Sequence, residues 1–336
     1  VGSEMCIRDR LYDLADRVYV NNIMVLRSNA HPDTTQQYIF EDAGTESNGK
    51  PIRYSFSKLN GGSLQPIVRS FVTSAQKIVA VGNLTQYVCN EYASSYVDSK
   101  QRISSVASAF RMDDCGVLDS TYRLVDRTGH YSGAGGGNIT DACMDKDDGV
   151  VLVGSFTSFD GVPVPGMVRL DADGNVDHAF LENLGTGPDG NVTMVRYNKA
   201  LNKMMVIGGF EHVNGQPRQQ MAMLNPDGTL DGTFVPREIG GGAVNFAQLI
   251  DKEKVIVSGT FSTYGGVPRL GFLILEMDGT AQQKFNVPGT FNGQLYHVAE
   301  TETTLGSYGL LLMGSFDRFN GQKANNVLML EVNLEH

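Results

Sequence analysis

Few side chains in this sequence have the type and spacing that could do chemistry. Asp171, Asp173 and Asp177, with Gly174 between them, have the layout of a calcium loop. Calcium takes about six to eight oxygen ligands, and loops of that kind close on a bidentate Glu. No Glu stands at the closing position here. Other stretches keep only part of the set: Asn225, Asp227 and Asp231, or Asp278 alone. A hairpin turn held by side-chain hydrogen bonds explains the pattern, and no metal is expected. The glycine-rich stretches 133–137 and 240–242 lack the Gly-Lys-Ser/Thr of a phosphate loop and open no helix. There is no Ser-His-Asp order, no repeated carboxylate pair and no metal-ligand cluster, so no catalytic residue and no cofactor are assigned.

Binding is the better-supported chemistry. Tyr131, His212, Arg218, Tyr264 and Arg269, with His130 and Phe319, fall in connections between apolar runs. Binding residues concentrate on such loops. The first five are the expected ligand contacts. The absence of Trp weakens the case for a flat sugar-stacking platform, although Tyr can serve.

These loops need elements to hold them, and the elements repeat. Gly-x-Phe recurs at Gly154-Ser155-Phe156, Gly208-Gly209-Phe210, Gly259-Thr260-Phe261 and Gly314-Ser315-Phe316, the phenylalanines 54, 51 and 55 residues apart. A second signature, Asp-Gly-x-x-Asp-x-x-Phe, runs from Asp173 to Phe180 and from Asp227 to Phe234. Degenerate copies end at Tyr122 and Phe285. Periods of this size mark propellers, solenoids or arrays. Runs such as Val150-Val151-Leu152-Val153 do not alternate, so both faces of each strand should be buried. Asp-Gly and Asn-Gly pairs supply the positive φ of hairpin turns. The expected fold is all-β: a β-propeller of four-stranded antiparallel blades over residues 51–333. Five blades are expected, or six if Val18 to Phe40 adds a partial one. The last repeat lacks its final strand and residues 54–64 form an orphan strand, which predicts closure by pairing of 54–64 with 326–332. Ile67 begins the first full repeat, and later ones begin near Ile139, Val192, Val244 and Leu295. In the third, strands are expected near 192–197, 203–210, 220–224 and 230–234. The second-to-third-strand loops and the links between repeats should share one end, and the Asp-Gly turns the other.

Composition sets the outer bounds. Thirty-nine glycines fit a turn-rich β protein. A net charge of −10 disfavours a nucleic-acid partner. No apolar run is long enough for a transmembrane helix, and a monomer is expected. Four cysteines, Cys6, Cys89, Cys115 and Cys143, have no metal-type spacing. Cys143 should be a buried thiol, and Cys89 and Cys115 are the pair that could meet. Residues 1–10 lack the pattern of a secretory signal and are set apart as a foreign or disordered end. Residues 11–50 form an N-terminal extension, with a strand expected near 18–26 and a loop over 31–50. Leu334-Glu335-His336 has the look of a tag remnant.

The repeat unit Val151-x-Val153-Gly154-Ser155-Phe156-x-x-Phe159-Asp160-Gly161, followed by Val168-Arg169-Leu170-x-x-Asp173-Gly174-x-x-Asp177-x-x-Phe180, resembles the delta-60 repeat β-propeller family. The stretch 304–316 is similar to propeller-bearing surface lipoproteins of Bacteroidetes. The resemblance implies an extracellular or outer-membrane surface location and no established catalytic residues. Three functions follow as alternatives. The first is a non-catalytic surface module binding a glycan or protein. The others are a carbohydrate-active enzyme using two carboxylates and a structural scaffold.

Overall fold

In the computed structural model, residues 20–40, 51–90, 101–125, 130–282, 291–303 and 306–331 are described, without the side chains of 36–40, 51–55 and 292. Among them the chain is all-β but for one seven-residue helix, His178–Leu184. No helix among these residues is long and apolar enough to cross a membrane. A three-stranded antiparallel meander recurs five times. It is formed by Arg69–Val72, Ile78–Val81 and Ala109–Met112; by Ile139–Met144, Val150–Gly154 and Met167–Leu170; by Val192–Asn198, Lys203–Gly208 and Met221–Leu224; by Val244–Ile250, Lys254–Gly259 and Phe272–Glu276; and by Phe291–Glu302, Tyr308–Phe319 and Val327–Glu331. These starts match the expected repeats.

The expected fourth strand is reduced to a single bridge, at Met112↔Leu118, Leu170↔Val176, Leu224↔Leu230 and Leu275↔Ala281. After Val176 the chain turns helical instead of extended. Asp177 caps the helix by accepting the Phe180 N–H at 3.0 Å, and Gly185 ends it at φ 63°. The tail that reads as a strand is therefore a cap-and-helix signal.

The chain divides into two units, described separately. The first comprises residues 1–139, 158–162 and 172–175. Its core gathers Ile23, Leu59, Ile67, Ile78, Ala80, Leu84, Tyr87, Phe110 and Met112 around the first meander. Two expectations fail in it. Pro51–Ser57 pairs with Thr34–Phe40 in register Thr34↔Ser57 through Phe40↔Pro51. The stretch read as a loop thus supplies the orphan strand's partner, and the closing ladder to 326–332 is replaced by this hairpin. Joining strands across a short connection costs less chain entropy than pairing chain ends. The sheets are not closed. The strand expected near 18–26 is also absent from residues 20–26, which carry only the bridge Leu26↔Pro32.

The second unit comprises residues 140–157, 163–171 and 176–336. Its core lies between successive sheets, and alternate residues of one strand serve different layers. Met204 and Val206 pack with the second meander's Val151, Val153 and Met167. Met205 and Ile207 pack with the fourth meander's Val255 and Val257. Ile256 turns the other way, toward Leu295, Leu310 and Leu312 of the fifth. This is the burial on both faces that unbroken apolar runs predict.

The Gly-x-Phe glycine sits where backbones close in. A Cβ on Gly208, Gly259 or Gly314 would lie 2.0, 2.0 or 2.1 Å from the carbonyl oxygen of Asn191, Ala243 or Gln294. At the same places the first strand bulges, between Val192 and Met194, Val244 and Phe246, and Leu295 and His297. The following Phe156, Phe210, Phe261 and Phe316 are buried.

Candidate binding surface at the loop end

Beyond each Gly-x-Phe the chain makes a tight hairpin. Asp160-Gly161, Asn214-Gly215, Gly265-Gly266 and Asn320-Gly321 have positive φ at both turn positions, 47° to 78°. That is the geometry such pairs favour. Three of these hairpins pair with the link entering their own repeat: Ser158–Phe159 with Ala134–Gly135, Thr263–Tyr264 with Ile239–Gly240, and Arg318–Phe319 with Phe291–Asn292. In the third repeat the bridge Pro188↔Val213 stands in for this pairing. Each repeat thus carries its second-to-third loop and its entering link together at one end.

In the first unit this end is dominated by Arg123, which is completely buried. Its Nη1 and Nη2 donate to the two carboxylate oxygens of Asp160, both at 2.9 Å. Its Nε donates to the Ala107 carbonyl at 2.7 Å, and Nη1 also to the Gly174 carbonyl at 2.9 Å. The guanidinium lies over the rings of Tyr131 and Phe159, 4.8 Å from each centroid. Asp160 Oδ1 further accepts the N–H groups of Ser132 and Gly133. Burial pushes this carboxyl up, but Arg123 and the two N–H donors outweigh it and hold the group below the usual carboxylate range. Tyr131, an expected ligand contact, is therefore committed to the fold. Its ring faces Arg123, and its hydroxyl donates to Asn175 Oδ1 at 2.9 Å.

The other four candidates lie in the second unit. Tyr264 is 3% exposed and belongs to the core. Its hydroxyl donates to the Gly279 carbonyl and accepts the Arg237 N–H at 2.9 Å. Burial pushes its pKa up to about 12. Its ring and hydroxyl are thus both engaged within the fold. His212 is exposed and pairs through Nδ1 with Asp189 Oδ2 at 2.8 Å. The backbone N–H and ring of His212, with the Glu211 N–H, hold Asp189 at about 2.

Arg218 and Arg269 occupy equivalent places, each just after an outer hairpin strand ending in Pro. In each, Nη1 donates to the preceding proline's carbonyl, at 2.6 and 2.7 Å, and Nε is buried without an acceptor. Arg218 is only 4% exposed. Burial pulls its pKa down, and the acid acting against this, Asp231, is already held by Lys203 at 2.7 Å. Val267 and Leu270, next to Arg269 along the chain, and Tyr296, on the fifth repeat's bulge, are 48%, 40% and 55% exposed. No hydrogen bond, ion pair or ring contact joins any two of the five candidates among the described residues.

The other end is occupied by its own chemistry. Asp113 Oδ1 accepts the Cys115 and Val117 N–H groups, and Asp227 and Asp278 accept those of Thr229 and Thr280. Arg111 pairs with Asp119, and Arg169 bridges Asp145 and Asp177 at 2.7 and 2.6 Å. Asp113, Asp114 and Cys115 bring potential metal-ligand atoms within 4.8 Å of one another. The first two are engaged, Asp113 with the turn and Asp114 with Lys58 at 2.7 Å. Among the described residues Cys89, Cys115 and Cys143 form no disulfide, and Cys143 is buried, which pushes its thiol pKa up.

Sequence reading missed Arg123 and Asp160 as a pair. The signal was there: Arg123 follows the closing aromatic where other repeats place Leu181 and Val235, and Asp160 stands where they place Asn214, Gly265 and Asn320. Tyr296 was missed because nothing in the sequence marks the bulge that exposes it.

Comparison with known proteins supports a propeller family. Residues 146–180 and 202–234 match the model of a domain of unknown function (DUF5122) beta-propeller. No curated protein matches the chain. Among solved structures, the WD40 beta propeller domain of Doa1 is 11% identical, with a TM-score of 0.39 over 77% of this chain and 73% of that one. The extracellular domain of a one component system from B. thetaiotaomicron is 12% identical, with a TM-score of 0.39 over 86% of this chain. The chain spans 38% of that protein's length. Hsv2 of Kluyveromyces lactis is 11% identical, with a TM-score of 0.31 over 74% of this chain and 90% of that one.

Proposed function

We propose that the chain is a non-catalytic binding module of a bacterial cell surface, taking a protein partner on its loop end. The observation that carries this is a division of labour. At the Asp-Gly turns of the individual repeats, Asp113 and Asp119 in the first unit and Asp145, Asp177, Asp227, Asp231 and Asp278 in the second are spent on turns and ion pairs. In the second unit, Arg218 and Arg269 each leave a buried Nε without an acceptor, and Val267, Leu270 and Tyr296 of the same unit are exposed. Protein interfaces favour Arg, Tyr and apolar contacts of this kind. A glycan is the weaker reading, because the two tyrosines that could have stacked on sugar are committed to Arg123 and to the core. The cell-surface placement rests on the resemblance of the repeats to surface propellers.

The test is a glycan-array and pull-down screen of the purified chain. Capture of a surface protein, weakened by combined alanine replacement of His212, Arg218 and Arg269 without unfolding, is the expected result. Cleavage of any arrayed glycan would move the chain among enzymes and end this reading.

A further inference from the structure

In the second and third repeats, the first and third residues before the Gly-x-Phe glycine face the sheet that follows. In the third repeat these are Ile207 and Met205, and Met221 and Met223 stand beside them across the ladder. All four pack against the fourth sheet and are at most 1% exposed. In the fifth repeat the same positions are Met313 and Leu311, with Val327 and Met329 across the ladder. His297 and Ala299 complete the two rows on the first strand. The residues between them, Leu310, Leu312, Leu328 and Leu330, pack toward the fourth sheet. Side chains alternate along a strand, so the outer set points away from that sheet. Leu311 and Met313 are only partly buried, and Val327 and Met329 are 53% and 45% exposed. The register sets these four side chains next to one another on one face.

We infer that this face is the contact surface for a second copy of the chain, so that two fifth sheets pack face to face about a two-fold axis. The inference is independent of the loop-end reading above, and it replaces the monomer expected from the sequence. The face continues the series of interfaces that join the second to the fifth sheets: the positions are the same and the residues are again apolar. What fits it is therefore another apolar sheet face. The chain's own first sheet does not supply one. Its receiving face, Ile78, Ala80, Phe110 and Met112, is buried under Ile23, Leu59, Leu84 and Tyr87. A second copy offers this same open face, and a two-fold contact needs only one patch that matches itself. Met313 and Met329, unbranched and flexible, can adapt to their counterparts. Two copies of a chain with a net charge of −10 repel at long range, and salt screens that repulsion.

The experiment is analytical ultracentrifugation of the full chain over a concentration series, at low and high salt. The expected result is a reversible monomer–dimer equilibrium that moves toward dimer with concentration and with salt. Val327→Lys and Met329→Lys should each weaken association tenfold or more, with thermal melts checking the fold. If the lysine variants fail to fold, Met329→Gln, which keeps the side chain's length and adds no charge, carries the test. Val117→Lys, at a position 63% exposed in the first unit, should leave the equilibrium where it is. A monomer mass at every concentration would overturn the inference, as would a dimer that survives the substitutions at Val327 and Met329. Masses that grow beyond the dimer would also overturn it, because a two-fold contact closes on itself. A monomeric chain that loses a captured protein on Met329→Lys would give the face to a foreign partner and end the inference as well. The loop-end reading is tested at other residues, His212, Arg218 and Arg269, so the two can fail separately.

Discussion

Arg123 and Asp160 show how a single buried charge pair can organise a loop end. Removing one partner of such a pair leaves the other uncompensated, at a cost of about 3–5 kcal/mol. Asp160→Asn keeps a residue that tolerates φ 47° and removes only the charge. Urea unfolding at neutral pH should show a loss of about that size; a change under ~1 kcal/mol would mean the pair contributes little. The pair also sets an acid limit. Asp160 has a lowered pKa in the fold, so its contribution is complete above its unfolded value of about 3.9 and is lost as pH falls through the folded value. Wild-type urea midpoints should drop between pH 5 and pH 3, and Asp160→Asn should flatten that part of the slope. Asp189, held at about 2, adds a weaker dependence of the same sign. At this scale the sequence was legible where repeats agree and opaque where one repeat departs. Tyr264 and Tyr131 read as loop residues because burial by a turn is a tertiary event. Arg218 read as a ligand contact for its charge, without any sign that its neighbours would leave its Nε unpaired.

Among elements, the Gly-x-Phe turn offers a matched pair of adjacent glycines. Gly208 faces the Asn191 carbonyl with no room for a Cβ, while a Cβ on Gly209 would meet nothing within 4 Å. Gly208→Ala should destabilise by about 1–3 kcal/mol or more, as overpacking does. Gly209→Ala should stay within ~0.5 kcal/mol of wild type. Denaturant midpoints for the two variants decide it, and equal losses would show that the bulge opposite Gly208 yields easily. The strands were legible to within a residue or two: Val192–Asn198 and Lys203–Gly208 against the expected 192–197 and 203–210. The fourth strand was not. Asp177 both ends a hairpin signature and caps a helix, and the sequence does not say which role governs the residues after it. Asp177→Ala should cost about 1 kcal/mol through the lost cap, with some further loss from its bond to Arg169. Circular dichroism cannot resolve so short a helix, so the measurement is the unfolding midpoint.

Across the whole molecule, Asp177, Asp227, Asp231 and Asp278, four of the carboxylates that resemble calcium ligands in sequence, are committed to arginine, lysine, threonine and backbone N–H groups. Chelator treatment should therefore leave the melting temperature unchanged, and a fall of many degrees would show that a metal holds one of these turns. The repeats could be read from spacing alone, because each must bury the same faces against its neighbours. The closing strand could not. Which segment pairs with Pro51–Ser57 depends on competition between a near partner and a distant one, and periodicity carries no information about that competition.

The four hairpin tips have an engineering consequence. Gly161, Gly215, Gly266 and Gly321 each open onto empty space, with nothing within 4 Å of a built Cβ, and they recur along the chain at intervals of 54, 51 and 55 residues. At Gly161 the neighbouring Asp160 already holds buried Arg123, so the tips to use are the other three, where packed residues begin only behind the turn, as at Val213 and Tyr264. Foreign segments spliced into these tips should leave the sheets undisturbed. The chain could then serve as a display frame on which several variable loops are presented from fixed, evenly recurring anchor points.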